Sequence, residues 1–330
     1  GQVKLTVQGA LQEHQKLVEK DRNHDNPAAR YDLTNRRFFG DYRVLQVIGE
    51  GAVGVVFLPE KVIDNASRRF ALKVFKPGLF SEAYSERARE RFLQEAEVAV
   101  SIDHPRVVDV HEFGLTEEEG IPFMVMEYVS GKSLDYYIVN NAKLDFRQKL
   151  EIVTQLADAL SAIHAKGICH RDVKPHNVVL LDEDLTVKLT DFGIAKMPDS
   201  ELTMTDELIG SPAYLSPESF TSSDTDCRSD IFSLGVLTYE LFLGQKPFIA
   251  DSISRYAHLI QHEFPAAPRS LNPDFPPQLQ TIIARMLKKV PDERYQHAAE
   301  VVEELHGLAG QENIWSGDVA AEPAPGTNWQ

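Results

Sequence analysis

Short runs of β-branched and aromatic residues follow one another in the first part of the chain and predict strands. The clearest runs are Val44–Ile48, Val55–Leu58, Phe70–Phe75 and Pro122–Met126. Between the last two of these runs, residues 81–100 are rich in Glu and Arg, a composition that favours a helix. The pattern predicts a β-rich unit that carries one helix.

From about Ser133 onward the spacing of apolar side chains becomes helical. One segment repeats them at three- and four-residue steps, which predicts an amphipathic helix with Leu150, Val153, Ala157, Leu160 and Ile163 on one face. Residues 231–243 are apolar on most sides and predict a buried helix. Two short strand-like runs interrupt the helices, Val178–Leu181 and Val187–Thr190. The sequence therefore predicts an α+β protein in which a β-rich unit precedes a larger helical one.

The two ends of the chain differ from this body. Residues 309–330 are mostly small and polar and cannot offset their ordering entropy, so they predict a disordered tail or a linker. Residues 1–41 carry only weak strand and helix signals, and we interpret them as an N-terminal extension of unknown role. The folded body is then expected over residues 42–308.

Composition and charge exclude several classes of partner. The chain has 330 residues, which suits about two folding units. Its 34 Lys and Arg against 50 Asp and Glu give a net charge of −16, which argues against a nucleic acid or an anionic membrane as the partner. The apolar stretches are shorter than the roughly 20 residues that span a bilayer, so we expect no membrane segment in this chain.

The chain contains 2 cysteines, Cys169 and Cys227. Two cysteines cannot form the disulfide framework of a small secreted protein or a four-ligand zinc site, which favours a reducing, cytoplasmic setting. Cys169 stands beside His170 and suggests a metal pair, but its apolar context predicts a buried structural thiol instead.

A glycine-rich segment separates the first two predicted strands and consists of Gly49, Glu50, Gly51, Ala52, Val53 and Gly54. A dinucleotide-binding fold would need a helix to begin at the third glycine, whereas Gly54 runs into a strand. A Walker loop would need Gly-Lys-Ser/Thr at its end, and this is absent. The segment is therefore either a plain tight turn or a hairpin that places backbone N–H groups over phosphates.

Lys73 lies in the middle of an apolar strand, where a lysine is costly unless it is paired. One interpretation is an edge-strand lysine that reaches water. The functional one requires an anion on one side and a carboxylate on the other. The predicted helix offers Glu95 for this purpose, with Glu97 as the competitor, and the two carboxylates are about 200° apart on a helix, so only one can face Lys73.

Two loops, His170–Asn177 and Thr190–Gly193, concentrate polar residues. Asn177 and Asp191 offer oxygen ligands of the kind that suits Mg²⁺, which keeps water and phosphate oxygens as its other ligands. Asp172 is then free to orient a substrate hydroxyl. The joint pattern indicates phosphoryl transfer.

In their order and spacing these motifs resemble the eukaryotic-type protein kinases over about residues 42–308. The resemblance continues beyond the loops at Ser216-Pro217-Glu218 and Asp230. Lys174 after Arg171-Asp172 is similar to the serine/threonine branch of that family. Bacterial members are the most similar in three segments, Gly210–Glu218, Arg228–Gly235 and Pro291–Tyr295.

The resemblance implies a serine/threonine protein kinase that uses ATP and Mg²⁺, with Mn²⁺ as a substitute, and acts on protein substrates. It implies a bilobal α+β fold with an N-lobe over about residues 42–129 and a C-lobe over about residues 130–308, and with ATP in the cleft between them. Related bacterial kinases often continue into a membrane anchor. Two alternatives stay open, namely a catalytically weak kinase-fold scaffold and a small-molecule kinase.

Roles for single residues follow from the same resemblance. Asp172 would act as the catalytic base, and Lys174 would neutralise charge on the transferring phosphoryl group. Lys73 would hold the α- and β-phosphates and pair with Glu95. The metal ligands would be Asn177 and Asp191. The nucleotide would contact Ile48, Gly49, Glu50, Gly51, Ala52, Val53, Gly54, Val56, Ala71, Lys73, Met126, Glu127, Val129 and Val179.

A supporting set would hold the loops in place and comprises His170, Arg171, Phe192, Glu218, Asp230 and Arg294. In this set Asp230 would anchor the catalytic-loop backbone, and Glu218 would pair with Arg294. Regulation is expected through autophosphorylation of Thr203 and Thr205, in trans between self-associating copies, with Arg171 binding the phosphate. In the competing interpretation the carboxylate of Glu207 meets Arg171 without any modification.

Overall fold

The computed structural model describes residues 38–50, 54–75, 85–116, 120–140, 143–191, 212–221 and 225–310. These residues form two compact units. The first extends to Val100 and resumes over Asp109–Tyr128, and the second contains Ser101–Val108 and the chain from Val129 onward.

The first unit is built on an antiparallel sheet with the strand order β1-β2-β3-β4-β6-β5. Its strands are β1 Phe38–Phe39, β2 Tyr42–Glu50, β3 Gly54–Ile63, β4 Ala66–Phe75, β5 Val110–Leu115 and β6 Pro122–Glu127. A two-residue turn joins β3 to β4 through Asp64 and Asn65, whose φ angles of 52° and 63° are the left-handed values that tight hairpins require. The predicted strands are all present, and β1 and β5 are additional ones.

One face of this sheet forms an apolar core, and helix α1 (Ser85–Val100) belongs to the same unit. Buried side chains on the core face include Phe57, Leu72 and Val125. The helix packs against β5 and β6, and the ring of Phe92 lies 5.2 Å from the ring of Phe75. The β-rich unit with one helix therefore has the composition that the sequence pattern predicts.

The second unit is mainly helical and also contains a small antiparallel sheet with the order β7-β8-β9. The sheet strands are β7 Gly131–Ser133, β8 Val178–Leu181 and β9 Val187–Leu189. The helices are α2 Leu134–Val139, α3 Phe146–His164, α4 Arg228–Leu243, α5 Ile253–His262, α6 Pro268–Leu271, α7 Pro277–Met286 and α8 Ala298–Ala309.

Helices α3 and α4 form the centre of this unit. A capping box at Asp145 and Gln148 begins α3, and the apolar face that the sequence predicts is buried, from Leu150 to Ile163. Helix α4 is buried along most of its length. Gly244 caps its C-terminal end, and the φ of 71° at this residue is a left-handed value that suits glycine. Helix α3 packs against α4 and α8. Of the two loops that carry the candidate chemistry, the first follows α3 and the second follows β9.

Parts of the predicted domain scheme lie outside the described residues, namely most of the N-terminal extension, residues 1–37, and most of the C-terminal tail, residues 311–330. In the ranges that the structure does describe, no helix combines the length and the apolar character that crossing a bilayer demands.

The cysteines depart from expectation. Cys169 and Cys227 form a disulfide across a sequence separation of 58 residues, and both are half-buried. The expectation of a buried structural thiol at Cys169 was wrong. The fold places Cys169, which follows α3, next to Cys227, which directly precedes α4. Since disulfides are rare in reducing compartments, the cysteine count no longer supports a reducing setting.

Candidate active site

The loop that follows α3 is held by one buried carboxylate from α4. Asp230 is 1% exposed, and its two oxygens accept from the backbone N–H groups of His170 and Arg171, each at 2.7 Å. His164, at the end of α3, contacts the same carboxylate at 2.9 Å. Burial alone would raise the pKa of Asp230, but these hydrogen bonds hold it below its ordinary value.

His170 links this loop to the strand that precedes Asp191. Its side chain is fully buried, and burial lowers the pKa of the imidazole, so the neutral form is favoured. Nε2 lies 2.9 Å from the carbonyl oxygen of Thr190 and must donate to it. Nδ1 then accepts from the backbone N–H of Asp172 at 3.3 Å. The neutral Nε2–H tautomer therefore orients the backbone of Asp172.

The carboxylate of Asp172 is fixed from two sides. Lys174 Nζ lies 2.8 Å from its Oδ2 atom, and the Asn177 amide nitrogen donates at 2.8 Å both to that oxygen and to the Asp172 carbonyl. Asp172 and Lys174 are about one-fifth exposed, with side-chain values of 17% and 18%. The geometry places a negatively charged oxygen, an ammonium and an amide within one short loop that solvent can reach.

A backbone hydrogen bond joins Asn177 to the residue before Asp191. The N–H of Thr190 donates to the Asn177 carbonyl at 2.8 Å, so Asp191 follows directly after a residue bound to Asn177. Asp191 adopts a φ of 58° and Arg171 a φ of 61°, a left-handed conformation that costs a non-glycine residue about 1–2 kcal/mol. Strained residues of this kind cluster at functional sites.

In the first unit, several predicted nucleotide contacts share one face of the sheet. Val56 pairs with Lys73 across β3 and β4, and Ala71 pairs with Met126 across β4 and β6. Directly paired residues point to the same side of a sheet, and this side is opposite to the apolar core that contains Leu72. The Lys73 ammonium lies 5.6 Å from the centroid of the Phe75 ring on that face.

The two candidate carboxylates on α1 occupy different environments. Glu95 is half-buried, whereas Glu97 is exposed. On a helix Glu95 lies about 60° from Phe92, the residue that packs on the Phe75 ring, and Glu97 lies about 140° from it. The structure therefore directs Glu95 rather than Glu97 toward the sheet, and its pairing with Lys73 stays a prediction.

The glycine segment is only partly described. Ile48, Gly49 and Glu50 end β2, Gly54 begins β3, and Gly51, Ala52 and Val53 lie outside the described residues. A Cβ atom at Gly54 would lie 2.5 Å from the Val74 carbonyl oxygen. Gly54 therefore has a structural reason to be glycine, the close pairing of β3 and β4, apart from any contact to phosphate.

The remaining predicted contacts lie at the ends of short strands. Glu127 ends β6 and binds Asp109, donating its N–H to the Asp109 carbonyl at 2.9 Å and accepting from the Asp109 N–H at 3.0 Å. Val129 lies two residues further on, before β7, and Val179 lies in β8 opposite Ser133. Phe192, Thr203, Thr205 and Glu207 lie outside the described residues.

The buried Arg294 and the half-buried Glu218 form a bidentate pair. The two guanidinium nitrogens Nη1 and Nη2 each donate to a Glu218 oxygen at 2.7 Å. The other N–H groups of this fully buried guanidinium donate to three carbonyl oxygens, those of Arg228, Lys288 and Lys289. Burial would raise the pKa of Glu218, but the hydrogen bonds from Arg294 bring it below its ordinary value.

Sequence reasoning missed three residues that support this loop. His164 contacts Asp230, Thr190 binds both His170 and Asn177, and Cys227 forms the disulfide with Cys169. His164 directly follows the predicted apolar face of α3, which is the only signal for it in the sequence. The other two contacts join residues that are distant along the chain, so neither periodicity nor a local motif could indicate them.

Comparison with known proteins agrees with this geometry. Residues 42–305 match the protein kinase domain. A probable serine/threonine-protein kinase of Clostridium acetobutylicum is 38% identical over 278 residues, 84% of this chain and 40% of that protein. The serine/threonine-protein kinase PrkC of Bacillus subtilis is 37% identical over 271 residues, 82% of this chain and 40% of that protein.

A solved structure is also similar. The PknI kinase domain of Mycobacterium tuberculosis aligns with a TM-score of 0.66 and 29% identity, over 83% of this chain and 97% of that one. The predicted fold class, the α+β protein-kinase fold, is confirmed. The chain belongs to the protein kinase domain family, in its bacterial serine/threonine branch. The chain spans about two fifths of the length of these curated relatives, covering 40% of each.

Proposed function

We propose that this chain transfers the γ-phosphate of ATP to serine or threonine hydroxyls of proteins. The observation that carries the proposal is the Asp172 carboxylate, bound by Lys174 and Asn177 at 2.8 Å each in a loop that Asp230 anchors. Asp172 accepts the hydrogen bond of the substrate hydroxyl and takes its proton. Lys174 stabilises the negative charge that spreads over the transferring phosphoryl group.

The donor set of the loops suits Mg²⁺. Asn177 commits its amide nitrogen to Asp172, so the amide oxygen is the atom that would ligate a cation, and Asp191 would supply a carboxylate. Two oxygen donors fit an ion that keeps water and phosphate oxygens in its shell, and Mn²⁺ would accept the same ligands. When bound, the ion would neutralise phosphate charge. Among the described residues, no group of three or more His, Cys, Asp or Glu side chains is arranged to hold a metal ion.

The nucleotide is assigned to the sheet face described above. Val56, Ala71 and Met126 would supply apolar contacts to the base, and Lys73 would bind phosphate oxygens. Protein substrates are the partners that the family assignment implies.

The substitution Asp172→Asn tests the catalytic assignment. The variant keeps the size of the side chain but removes the base, so labelled ATP with Mg²⁺ is expected to transfer phosphate to casein about 10² times more slowly or worse. Nucleotide binding, measured by calorimetry, should remain nearly unchanged. A variant with near-normal turnover would contradict the role of Asp172. Wild type that binds ATP without transferring phosphate would be a kinase-fold scaffold instead.

We further propose that the chain is activated by autophosphorylation of Thr203 and Thr205. Arg171 supports this, because it is a fixed cation next to Asp172, and a phosphate adds about −1.5 to −2 charges and strong acceptors. Copies of the chain would associate transiently for the reaction in trans. Glu207 is the competing partner of Arg171, and it carries less charge and fewer acceptors than a phosphate.

Mass spectrometry of wild type and Asp172→Asn, expressed alike, tests this regulation. Phosphate on Thr203 and Thr205 should be present only in the wild type, and changing both threonines to Ala should lower activity about tenfold or more. The substitution Glu207→Gln is the matched control and should have little effect. Unmodified threonines in a fully active enzyme would assign the role to Glu207.

A further inference from the structure

The disulfide joins the catalytic loop to α4. The Cα atoms of Cys169 and Cys227 are 4.7 Å apart, although 58 positions separate the residues. Cys169 directly precedes His170, and Cys227 is the residue before α4, three positions ahead of Asp230. The covalent bond therefore connects the same two elements that Asp230 connects by hydrogen bonds.

Both sulfurs belong to half-buried residues. An accessible disulfide is open to attack by a thiolate, whereas one sealed in a core resists reduction. The sequence contains 2 cysteines, and both belong to this bond. The pair therefore has two defined states, the disulfide and the dithiol.

Reduction would remove only part of the connection. Asp230 still accepts from the N–H groups of His170 and Arg171 at 2.7 Å, so the loop keeps its fold. Arg171, however, has a left-handed φ of 61°, and such a conformation persists only where the surroundings over-determine it. The covalent bond at Cys169, two residues before Arg171, adds to the constraints that hold this strained residue next to Asp172.

We propose that Cys169 and Cys227 form a thiol–disulfide site that a dithiol reductant opens, and that opening it lowers phosphoryl transfer by loosening the catalytic loop. The inference rests on the kinase activity proposed above. The two cysteines act as positioning residues, through His170 and Arg171. The proposed phosphate contact, Lys73, lies on β4 of the first unit, so kcat falls while KM for ATP changes little.

Reduction of the bridge proceeds by two successive thiol–disulfide exchanges. A thiolate of the dithiol attacks one sulfur of the bridge, forms a mixed disulfide and releases the other cysteine as a thiolate, which takes up a proton. The second thiol of the reductant then attacks the mixed disulfide, closes its own disulfide and releases the second cysteine. Two electrons and two protons reach the protein, and the dithiol is oxidised to a disulfide.

Dithiothreitol is the probe, and the chain is assayed with casein and MgATP before and after reduction. We expect kcat of the wild type to fall at least about threefold, KM for ATP to change less than about twofold, and reoxidation to restore the rate. Iodoacetamide should modify no cysteine before reduction and both afterwards. The variants Cys169→Ser and Cys227→Ser should show the low rate with and without dithiothreitol.

Hydrogen exchange gives a readout that does not depend on activity. The amides of His170 and Arg171 should exchange about tenfold faster after reduction than the fall in global stability accounts for, and that fall is reported by the amides inside α8. Equal protection and equal kcat in the two states would overturn the inference even for a fully active kinase. A chain that is inactive in both states but shows the change in exchange would contradict the proposed function and leave the redox-dependent positioning supported.

Discussion

At the scale of single residues, one buried carboxylate and one buried imidazole determine where the candidate base lies. Asp230 holds two successive backbone N–H groups, and His170 orients the third through its Nδ1 atom. The backbone of Asp172 is thus set by groups that have no contact with a substrate. A displacement of about 1 Å at such a site costs about a hundredfold in rate, so we expect these supporting residues to matter as much as the residues that touch the substrate.

The carboxylates on α1 give a matched pair for a test at this scale. The substitution Glu95→Gln should lower kcat/KM at least about tenfold, because a neutral amide would lose the proposed ion pair with Lys73, the proposed phosphate contact. Glu97→Gln should change kcat/KM less than about twofold, since Glu97 is exposed on the other side of the helix. A larger effect at Glu97 would mean that the facing carboxylate has been misassigned.

Lys289 supplies a prediction about pH. Burial, followed by the charge of Arg294, lowers the pKa of its ammonium to about 8, and Nζ donates to the Ile260 carbonyl at 2.6 Å with the Phe248 ring centroid 4.4 Å away. The unfolded chain has the ordinary, higher pKa and so binds more protons between pH 8 and about 10.5. Stability contributed by this residue therefore rises with pH across that window.

The variant Lys289→Met removes the titrating group and keeps the apolar stem among the aromatic rings. Relative to this variant, the free energy of unfolding of the wild type should increase from pH 7 to pH 9.5 by on the order of 1 kcal/mol, after allowance for solvent screening. Urea denaturation at both pH values measures it, with Lys288→Met as the neighbouring control. Equal pH dependence in wild type and Lys289→Met would contradict the buried titration.

At the scale of elements, hydrophobic periodicity predicted the long helices and the central strands because their burial follows a regular spacing. Strand β5 was missed, because Val110–Leu115 contains His, Glu and Gly and buries chiefly its first residue. The edge position explains this pattern, since β5 pairs only with β6. The site motifs could be recognised because each is a short, continuous stretch of sequence. The disulfide and the contacts of His164 and Thr190 depend on the tertiary fold and have no such signal.

The packing of α4 on α7 depends on a glycine and gives a prediction at this scale. A Cβ atom at Gly235 would lie 2.8 Å from the Met286 Cβ atom and 3.0 Å from Leu287. The substitution Gly235→Ala gains helix propensity of about 1 kcal/mol but overpacks this contact, which costs about 1–3 kcal/mol. We expect a net loss of stability in thermal or urea unfolding.

Gly307 in α8 is the matched control. A Cβ atom there meets nothing within 4 Å, so Gly307→Ala should gain stability from helix propensity alone, up to about 1 kcal/mol. Opposite signs for the two substitutions would support close helix packing as the reason for Gly235. A stabilising effect of Gly235→Ala would show that α7 can move away at little cost.

At the scale of the whole molecule, different kinds of contact stabilise the inside of each unit. The sheet of the first unit forms mostly between strands that are close in sequence, such as β3 and β4. The second unit relies on side-chain links over long separations, 66 residues for His164 with Asp230 and 76 for Glu218 with Arg294. Arg294 is fully buried, so removing Glu218 would leave its guanidinium charge uncompensated.

The disulfide adds a covalent link of the same long-range kind, and its contribution to global stability can be measured apart from any effect on rate. Closing a loop across 58 residues restricts the unfolded chain, and the entropy of that restriction is worth roughly 2–4 kcal/mol. We expect the double substitution Cys169→Ser, Cys227→Ser to lower the melting temperature by about 5–10 °C.

Dithiothreitol should lower the wild-type melting temperature by the same amount and leave that of the double variant unchanged. Single substitutions should match the double one, because each alone abolishes the bond. A melting temperature insensitive to both treatments would mean that the bond does not constrain the unfolded chain.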